Sequence, residues 1–389
     1  MISNLKEKDK QYIANTYNRF PVELVSGKGA CAYDGDGKEY IDMGSGIGVN
    51  AFGFADEIWT SAVTEQLSRL QHTSNLYYTE PCVRLAQLLC EKTGLKKVFF
   101  SNSGAEANEC AIKIARKYAS ENKGSNCYKI LTLENSFHGR TITTLAATGQ
   151  EHYHELFNPL TDGFIHTLAN DIDALQKTVE QNDIAAIMIE CVQGEGGVIA
   201  LQQEFVNAIV KLSSGKNFLI IVDEVQTGNG RTGKLYAYQN FGFTPDIVTT
   251  AKGLGGGLPI GATLLGEKVQ SVLNFGDHGS TYGANPVCCA GAFSIISRLT
   301  DDFLVDVTKK GEYIKNELIG AKGVASVSGM GLMIGIKCEK AASDVVKSAI
   351  DRGVLCLTAK DKVRLLPPLN ITFEQLKKAV SILKEVIAE

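Results

Sequence analysis

No sign of charge dominates this sequence: 39 Lys and Arg stand against 43 Asp and Glu, a net charge of −4. The two signs are mixed along the chain, which leaves no electrostatic footprint for nucleic acid or an anionic membrane surface. No apolar run approaches the roughly 18 residues needed to span a bilayer; the longest, such as Phe218–Val222, have the length of a buried strand. The first ten residues alternate charges and lack an apolar stretch, which argues against a secretory signal and for a cytoplasmic protein. No pair of cysteines is spaced CxxC, and of the ten only Cys288 and Cys289 are close together, as neighbours poorly placed for an ordinary bridge. Reduced cysteines acting as small hydrophobes are the expectation. No repeat, low-complexity tract or Pro/Ser-rich linker interrupts the chain, so fibrous and disordered classes are excluded.

What the chain has in excess is glycine, 39 of 389 residues against a usual share of about 7%. Many tight turns and close backbone approaches follow, which suits an α/β enzyme. Hydrophobic residues at 44% and charged residues at 21% are ordinary for a globular protein, and the length allows two or three domains with a large core. Through the middle, short apolar runs alternate with helical stretches. The runs are Val98-Phe99-Phe100, Lys129–Leu133, Ala185–Ile189, Phe218–Val222 and Asp246–Thr250. Such runs, rich in β-branched residues, predict a mainly parallel sheet sandwiched by helices in a large domain. After about Asn285 the pattern changes to long helices with two alternating segments, which predicts a smaller α+β C-terminal domain. The expected division is 1–50 as an N-terminal segment packing on the small domain, 51–285 as the large domain, and 286–389 as the small one.

Ligands of open parallel sheets bind at the carboxyl ends of the strands, so the residues after each run are the ones to read. After Val98-Phe99-Phe100 comes Ser101-Asn102-Ser103-Gly104-Ala105, a small-residue turn opening a helix. It is either an ordinary serine cap or an anion site built from free N–H groups and the helix dipole. After Phe218–Val222 comes Asp223, a carboxylate costly to desolvate unless it meets a cation or donors; it is a structural cap or a functional group. After Ile247–Thr250 comes Ala251-Lys252-Gly253-Leu254-Gly255-Gly256-Gly257. A lone lysine is usually solvated surface, but burial at this point would lower its pKa and make its amine nucleophilic. An anion turn, a strand-end acid and a strand-end lysine match what pyridoxal phosphate needs: a cradled phosphate, a partner for the pyridine nitrogen, and an amine for the aldehyde.

On these motifs the chain resembles the class III (ω-aminotransferase) subgroup of the fold-type-I pyridoxal-phosphate transferases, from Tyr17 to the helix after Leu369. The resemblance implies one pyridoxal 5'-phosphate per subunit, held by Lys252 as a Schiff base, with Lys252 also shuttling the proton. It implies that Asp223 pairs with the pyridinium nitrogen, that Gln226 lies near the ring oxygen, and that Phe137 stacks on the ring with His138 as its neighbour. Gly104 and Ala105 would give N–H groups to the phosphate, with Ser103 beside them. Thr281 would reach the phosphate from a partner subunit and Ser280 would lie near the substrate, so an obligate homodimer with active sites at the interface is implied. Arg140 would clamp the donor's carboxylate. Arg364 would bind the α-carboxylate of glutamate or 2-oxoglutarate, with Glu195 pairing with it when the other substrate is bound. Read without the family, Glu195 is a loop carboxylate and Arg364 a surface charge. The implied activity is transfer of the terminal amine of N2-acetyl-L-ornithine to 2-oxoglutarate by a ping-pong mechanism, in arginine biosynthesis. Other ω-amines, namely ornithine, N-succinylornithine, succinyl-diaminopimelate and 4-aminobutyrate, stay open, and aminomutases or epimerases fit less well.

Other patterns carry less. Gly228–Lys234 has P-loop spacing, but Leu235 stands where a Ser or Thr hydroxyl must bind Mg²⁺. His152-Tyr153-His154-Glu155 reads as a polar loop, and no metal site is expected. Phe54 and Ser328, the latter where relatives usually have an arginine, depart from the family's pattern, which puts local packing and dimer contacts in question; Cys191 stands where many relatives carry proline. Gly44–Asn50 is glycine-rich, and its glycines are expected to leave room for an N-acyl group.

Overall fold

The computed structural model describes residues 2–389. Its centre is a seven-stranded sheet made of β1 (Lys97–Ser101), β2 (Lys129–Leu133), β3 (Phe164–Thr167), β4 (Ile184–Ile189), β5 (Leu219–Asp223), β6 (Ile247–Thr250) and β7 (Gly261–Leu265). The spatial order is β1-β7-β6-β5-β4-β2-β3. β7 runs antiparallel to both its neighbours and the other strands run parallel. Every residue of β4, β5 and β6 is buried, as continuous apolar runs require when both faces are covered. The expectation of a mainly parallel sheet sandwiched by helices is met, with one reversed strand.

The helix after β1, α1 (Gly104–Lys123), packs across the sheet centre. Its buried side includes Ala107, Ala111 and Ala115, one every turn, and these small side chains let the helix axis sit close to the strands. Ser103 caps it by accepting a hydrogen bond from the Glu106 N–H.

Two smaller sheets flank this body. Strands Leu24–Lys28, Cys31–Asp34 and Glu39–Asp42 are joined by Val354–Leu355, which ties the N-terminal segment to the C-terminal portion. The antiparallel sheet Val324–Met330, Met333–Cys338, Lys362–Leu365 and Leu357–Ala359 is packed by helices Asp301–Leu318 and Ala342–Asp351, and helix Phe373–Ala388 packs on these two helices. Helix Pro286–Ile296 packs against Glu57–Arg69 and Glu80–Thr93, helices that precede the central sheet in sequence. Among the described residues no helix is long and apolar enough to cross a membrane, and the ten cysteines are free thiols.

The three departures have local partners. Phe54 pairs its backbone with Gly29 and lies over Gly27, where an added Cβ would meet its ring at 2.6 Å. Ser328 donates to the Val198 carbonyl at 2.8 Å and accepts from the Lys362 ammonium at 2.8 Å, so a lysine on the neighbouring segment supplies the cation there. Cys191 is fully buried, and burial pushes its thiol well up.

Candidate active site

The carboxyl ends of β1, β2, β4, β5 and β6 open into one cavity of about 480 Å³. At one wall stands the start of α1. The N–H groups of Gly104 and Ala105 belong to the first turn, where no preceding carbonyl is available to them, and both residues line the cavity. Gly104 has no room for a side chain: a Cβ would stand 2.7 Å from Val225 Cγ1. Ser103 has its hydroxyl engaged with Glu106, whose N–H it accepts and whose carboxylate it reaches at 3.2 Å.

Opposite the helix, Asp223 ends β5 and is buried. Its Oδ2 accepts from Asn108 Nδ2 and lies against His138 Nδ1, both at 2.8 Å, while Oδ1 accepts from the Val225 N–H at 3.0 Å. Asn108 is fixed in turn, since Nδ2 also donates to the His138 carbonyl and Oδ1 accepts from the Thr249 hydroxyl at 2.6 Å. Phe137 forms the aromatic wall. Its ring meets Tyr153 edge-on with centroids 5.9 Å apart, and the exposed Arg140 guanidinium lies 4.7 Å from the Tyr153 ring at the cavity rim.

Lys252 follows β6 after one residue and adopts φ +44°, a left-handed conformation that costs a side-chain-bearing residue about 1–2 kcal/mol. Burial pushes its amine below the ordinary lysine value; the Arg364 charge adds to this, while Glu195, Asp223 and Glu190 oppose it. At the outer end, Arg364 Nη1 meets Glu195 Oε1 at 2.6 Å and donates to Gln226 Oε1 at 3.0 Å. Gln226 Nε2 donates back to Glu195 Oε1 at 3.2 Å, which closes a three-membered ring of contacts. Burial would raise the Glu195 carboxyl, but the Arg364 charge and hydrogen bond hold it below the usual range. Arg364 Nε is buried without a partner.

The structure thus brings Gly104, Ala105, Phe137, Arg140, Asp223, Gln226 and Lys252 onto one cavity, with Ser103 at its edge and the Glu195–Arg364 pair beside it. Thr281 and Ser280 do not line the cavity of their own chain. Ser280 Oγ accepts from Asn102 Nδ2 and from the Gly283 N–H, each at 3.0 Å, and Thr281 is exposed. Two polar lining residues were not anticipated, Asn108 and Glu190. Glu190 ends an apolar run as Asp223 does, so the same strand-end rule applied to Ala185–Ile189 finds it. Of the glycine-rich segment, only Val49 reaches the cavity. Ser45, Gly46, Ile47 and Gly48 all have positive φ, so the glycines there answer a left-handed backbone turn.

A phosphorylated pyridine aldehyde fits these residues. Free N–H groups without a crowding Cβ at Gly104 suit its phosphate, the Asp223 carboxylate held by three donors suits its ring nitrogen, and the desolvated Lys252 amine suits its aldehyde. Among the described residues no group of His, Cys, Asp or Glu is placed to hold a metal ion.

Known proteins extend this reading. The family model described as Aminotransferase class-III matches residues 12–387. An acetylornithine aminotransferase of Haemophilus ducreyi is 52% identical over 387 residues, covering 99% of this chain and 98% of the relative. The enzyme of that name from Aquifex aeolicus is 44% identical, covering 97% of this chain and all of the relative. Among solved structures, an ornithine aminotransferase from Toxoplasma gondii, with partial occupancy of PLP at its active site, superposes with a TM-score of 0.94 at 31% identity, over 99% of this chain and 94% of that one. With a family model spanning nearly its whole length and a relative sharing half its residues, this chain belongs to the class-III aminotransferases and uses pyridoxal phosphate.

Proposed function

We propose that the enzyme transfers the terminal amine of N2-acetyl-L-ornithine to 2-oxoglutarate in a ping-pong cycle. The products are N-acetyl-L-glutamate 5-semialdehyde and L-glutamate, and the step serves arginine biosynthesis in the cytoplasm. The observation that carries this reading is the Glu195–Arg364 pair, 2.6 Å across, beside a cavity that a second arginine, Arg140, lines. The two substrates present different ends to the same chemistry. Acetylornithine brings an amine on an unadorned carbon and a carboxylate far away, whereas glutamate brings an amine beside a carboxylate. One arginine must therefore be masked for the first substrate and free for the second. Glu195, partly exposed while Arg364 is buried, is the member able to swing out.

Bound pyridoxal phosphate supplies the electron sink and carries the amino group between the two substrates. The protein's part is as follows. Gly104 and Ala105 N–H groups, with Ser103 beside them, would hold the phosphate, and Asp223 the ring nitrogen. Phe137 would stack on the ring, and Gln226 would lie near its oxygen. Lys252 would hold the aldehyde carbon, then take a proton from the amine-bearing carbon of the substrate; its lowered pKa favours the neutral amine this needs. Arg140 would bind the acetylornithine carboxylate bidentately, and Arg364 the α-carboxylate of glutamate. Thr281, exposed in its own chain beside Tyr282 and near Leu76, Tyr77 and Tyr78, which are also exposed, would reach the phosphate of a partner in a homodimer, with Ser280 near the substrate. In the proposed division into 1–50, 51–285 and 286–389, the Glu195–Arg364 pair bridges the large and small units.

The test is steady-state transamination with 2-oxoglutarate, comparing acetylornithine, N-succinylornithine, ornithine and 4-aminobutyrate by kcat/KM, with Lys252→Ala as the blank. A preference for acetylornithine of about a hundredfold, or roughly 2.7 kcal/mol of transition-state binding, is expected. A higher value for ornithine or 4-aminobutyrate would overturn the substrate assignment.

A further inference from the structure

Glu190 stands at the end of β4 beside Asp223, since β4 and β5 pair Ile189 with Val222. The two neighbours are held differently. Asp223 takes two of its three bonds from side chains, Asn108 and His138. Glu190 takes both of its bonds from the backbone: Oε2 accepts from the Phe137 N–H at 3.0 Å and Oε1 from the Gly194 N–H at 3.3 Å. Phe137 lies on the loop that continues to Arg140, and Gly194 immediately precedes Glu195. One planar group therefore fixes the separation of two loops, one carrying the aromatic wall and the rim arginine, the other carrying the partner of Arg364. A carboxylate offers an acceptor oxygen to each loop; an amide of the same shape offers one acceptor and presents a donor to the other N–H. Glu190 is fully buried, and burial pushes its carboxyl up to about 7, with the Asp223 charge adding to the rise. A carboxylate is an expensive choice for a purely structural contact at such a depth.

We propose that Glu190 is a positioning residue for the donor half of the reaction: by tying Gly194 to Phe137 it holds Glu195 where it masks Arg364. The proposal rests on the exchange of Glu195 at Arg364 set out above. Glu190 acts on the substrates through Glu195, so its signature is a split between substrates rather than a general loss.

The experiment uses the holoenzyme with Glu190→Gln and, should that variant fold poorly, Glu190→Asp, which keeps the charge but withdraws it by one methylene. For either, the KM for the amino donor should rise about tenfold, the scale of a charged donor on Arg364 left unsatisfied when Glu195 is displaced. The KM for 2-oxoglutarate should move less than about threefold, and the dissociation constant of pyridoxal phosphate, titrated spectroscopically into apoenzyme, should change as little. Combined with Glu195→Gln, Glu190→Gln should add nothing further to the donor KM, because the group through which it acts is gone. Equal rises in both KM values, a full additional tenfold in the Glu195→Gln background, or no change in an enzyme whose donor KM does respond to Glu195→Gln would each overturn the proposal. An Arg364→Ala enzyme with an unaltered 2-oxoglutarate KM would instead sink the exchange on which it rests.

Discussion

The two ends of the cavity are built from the same kinds of residue to opposite purposes. At the inner end, Asp223 is buried and meets three donors, drawn from α1, from the loop after β2 and from the backbone two residues further along. No single movement frees it. At the outer end, Glu195 meets one arginine and one glutamine, its side chain keeps 26% of its exposure, and Arg364 beneath it retains an unpartnered Nε. That carboxylate can leave for solvent, and the arginine can take another. Burial with redundant donors makes a fixed group, whereas burial of only one partner makes an exchangeable pair. The inner end suits a cofactor that stays through both half-reactions, and the outer end suits substrates that alternate.

The largest effect should come from breaking the fixed end. Asp223→Asn leaves one acceptor oxygen before three donors, and each charge-assisted bond lost costs roughly 1.5–3 kcal/mol. Single-turnover rates with acetylornithine and with glutamate should both fall, by about a hundredfold and by the same factor. If one half-reaction survived, the inner end would not be common to both. Breaking the exchangeable end should be smaller and one-sided. Arg364→Ala should raise the KM for 2-oxoglutarate by about tenfold to a hundredfold, the loss of one bidentate clamp, while the donor KM shifts less than about threefold. Parallel steady-state measurements on the two substrates check this, and equal losses would erase the distinction between the ends.

Much of the fixed end was legible because it is local. Each of Phe218–Val222 and Ile247–Thr250 is a buried run, and the residue that ends it or follows shortly after is chemically expensive there, so Asp223 and Lys252 stand out on energetic grounds alone. Glu190 obeys the same rule and was within reach of it. Asn108 was not, because it looks like one polar residue on a helix, and its partners Asp223 and Thr249 lie 115 and 141 residues away. Strand β7 was missed for a related reason: Gly261–Leu265 follows a glycine-rich turn and gains its strand character from two antiparallel neighbours distant in sequence. Family resemblance, and not residue type, marked Glu195 and Arg364, since an ion pair between remote segments leaves no periodicity. The glycines of Gly44–Asn50 were read as space for a substrate, yet a backbone with four successive positive φ values explains Gly46 and Gly48 without one.

A smaller measurement sharpens the comparison within two adjacent residues, Asp223 and Glu224. Glu224 points away from the cavity and is fully buried, with its carboxylate accepting from the Thr227 hydroxyl at 2.5 Å and the Tyr238 N–H at 2.9 Å. These donors are neutral, and burial pushes its carboxyl up to about 7. Between its ordinary value of 4.5 and about 7 the folded protein therefore keeps a proton that the unfolded chain has released. The folded state binds more protons in that window, so this group makes stability fall as pH rises, by up to about 1.4 kcal/mol per pH unit. Glu190 adds a similar slope in the same window. Glu224→Gln removes one of the two. At fixed protein and cofactor concentration, the variant's unfolding free energy should decline less steeply than wild type between about pH 5 and 7, and the two should run parallel below about pH 4.5. An unchanged slope would mean that Glu224 holds no extra proton, and that a few neutral donors suffice to keep a carboxylate charged at that depth. The number and kind of donors would then cease to explain why one end of the cavity is fixed and the other is free to exchange.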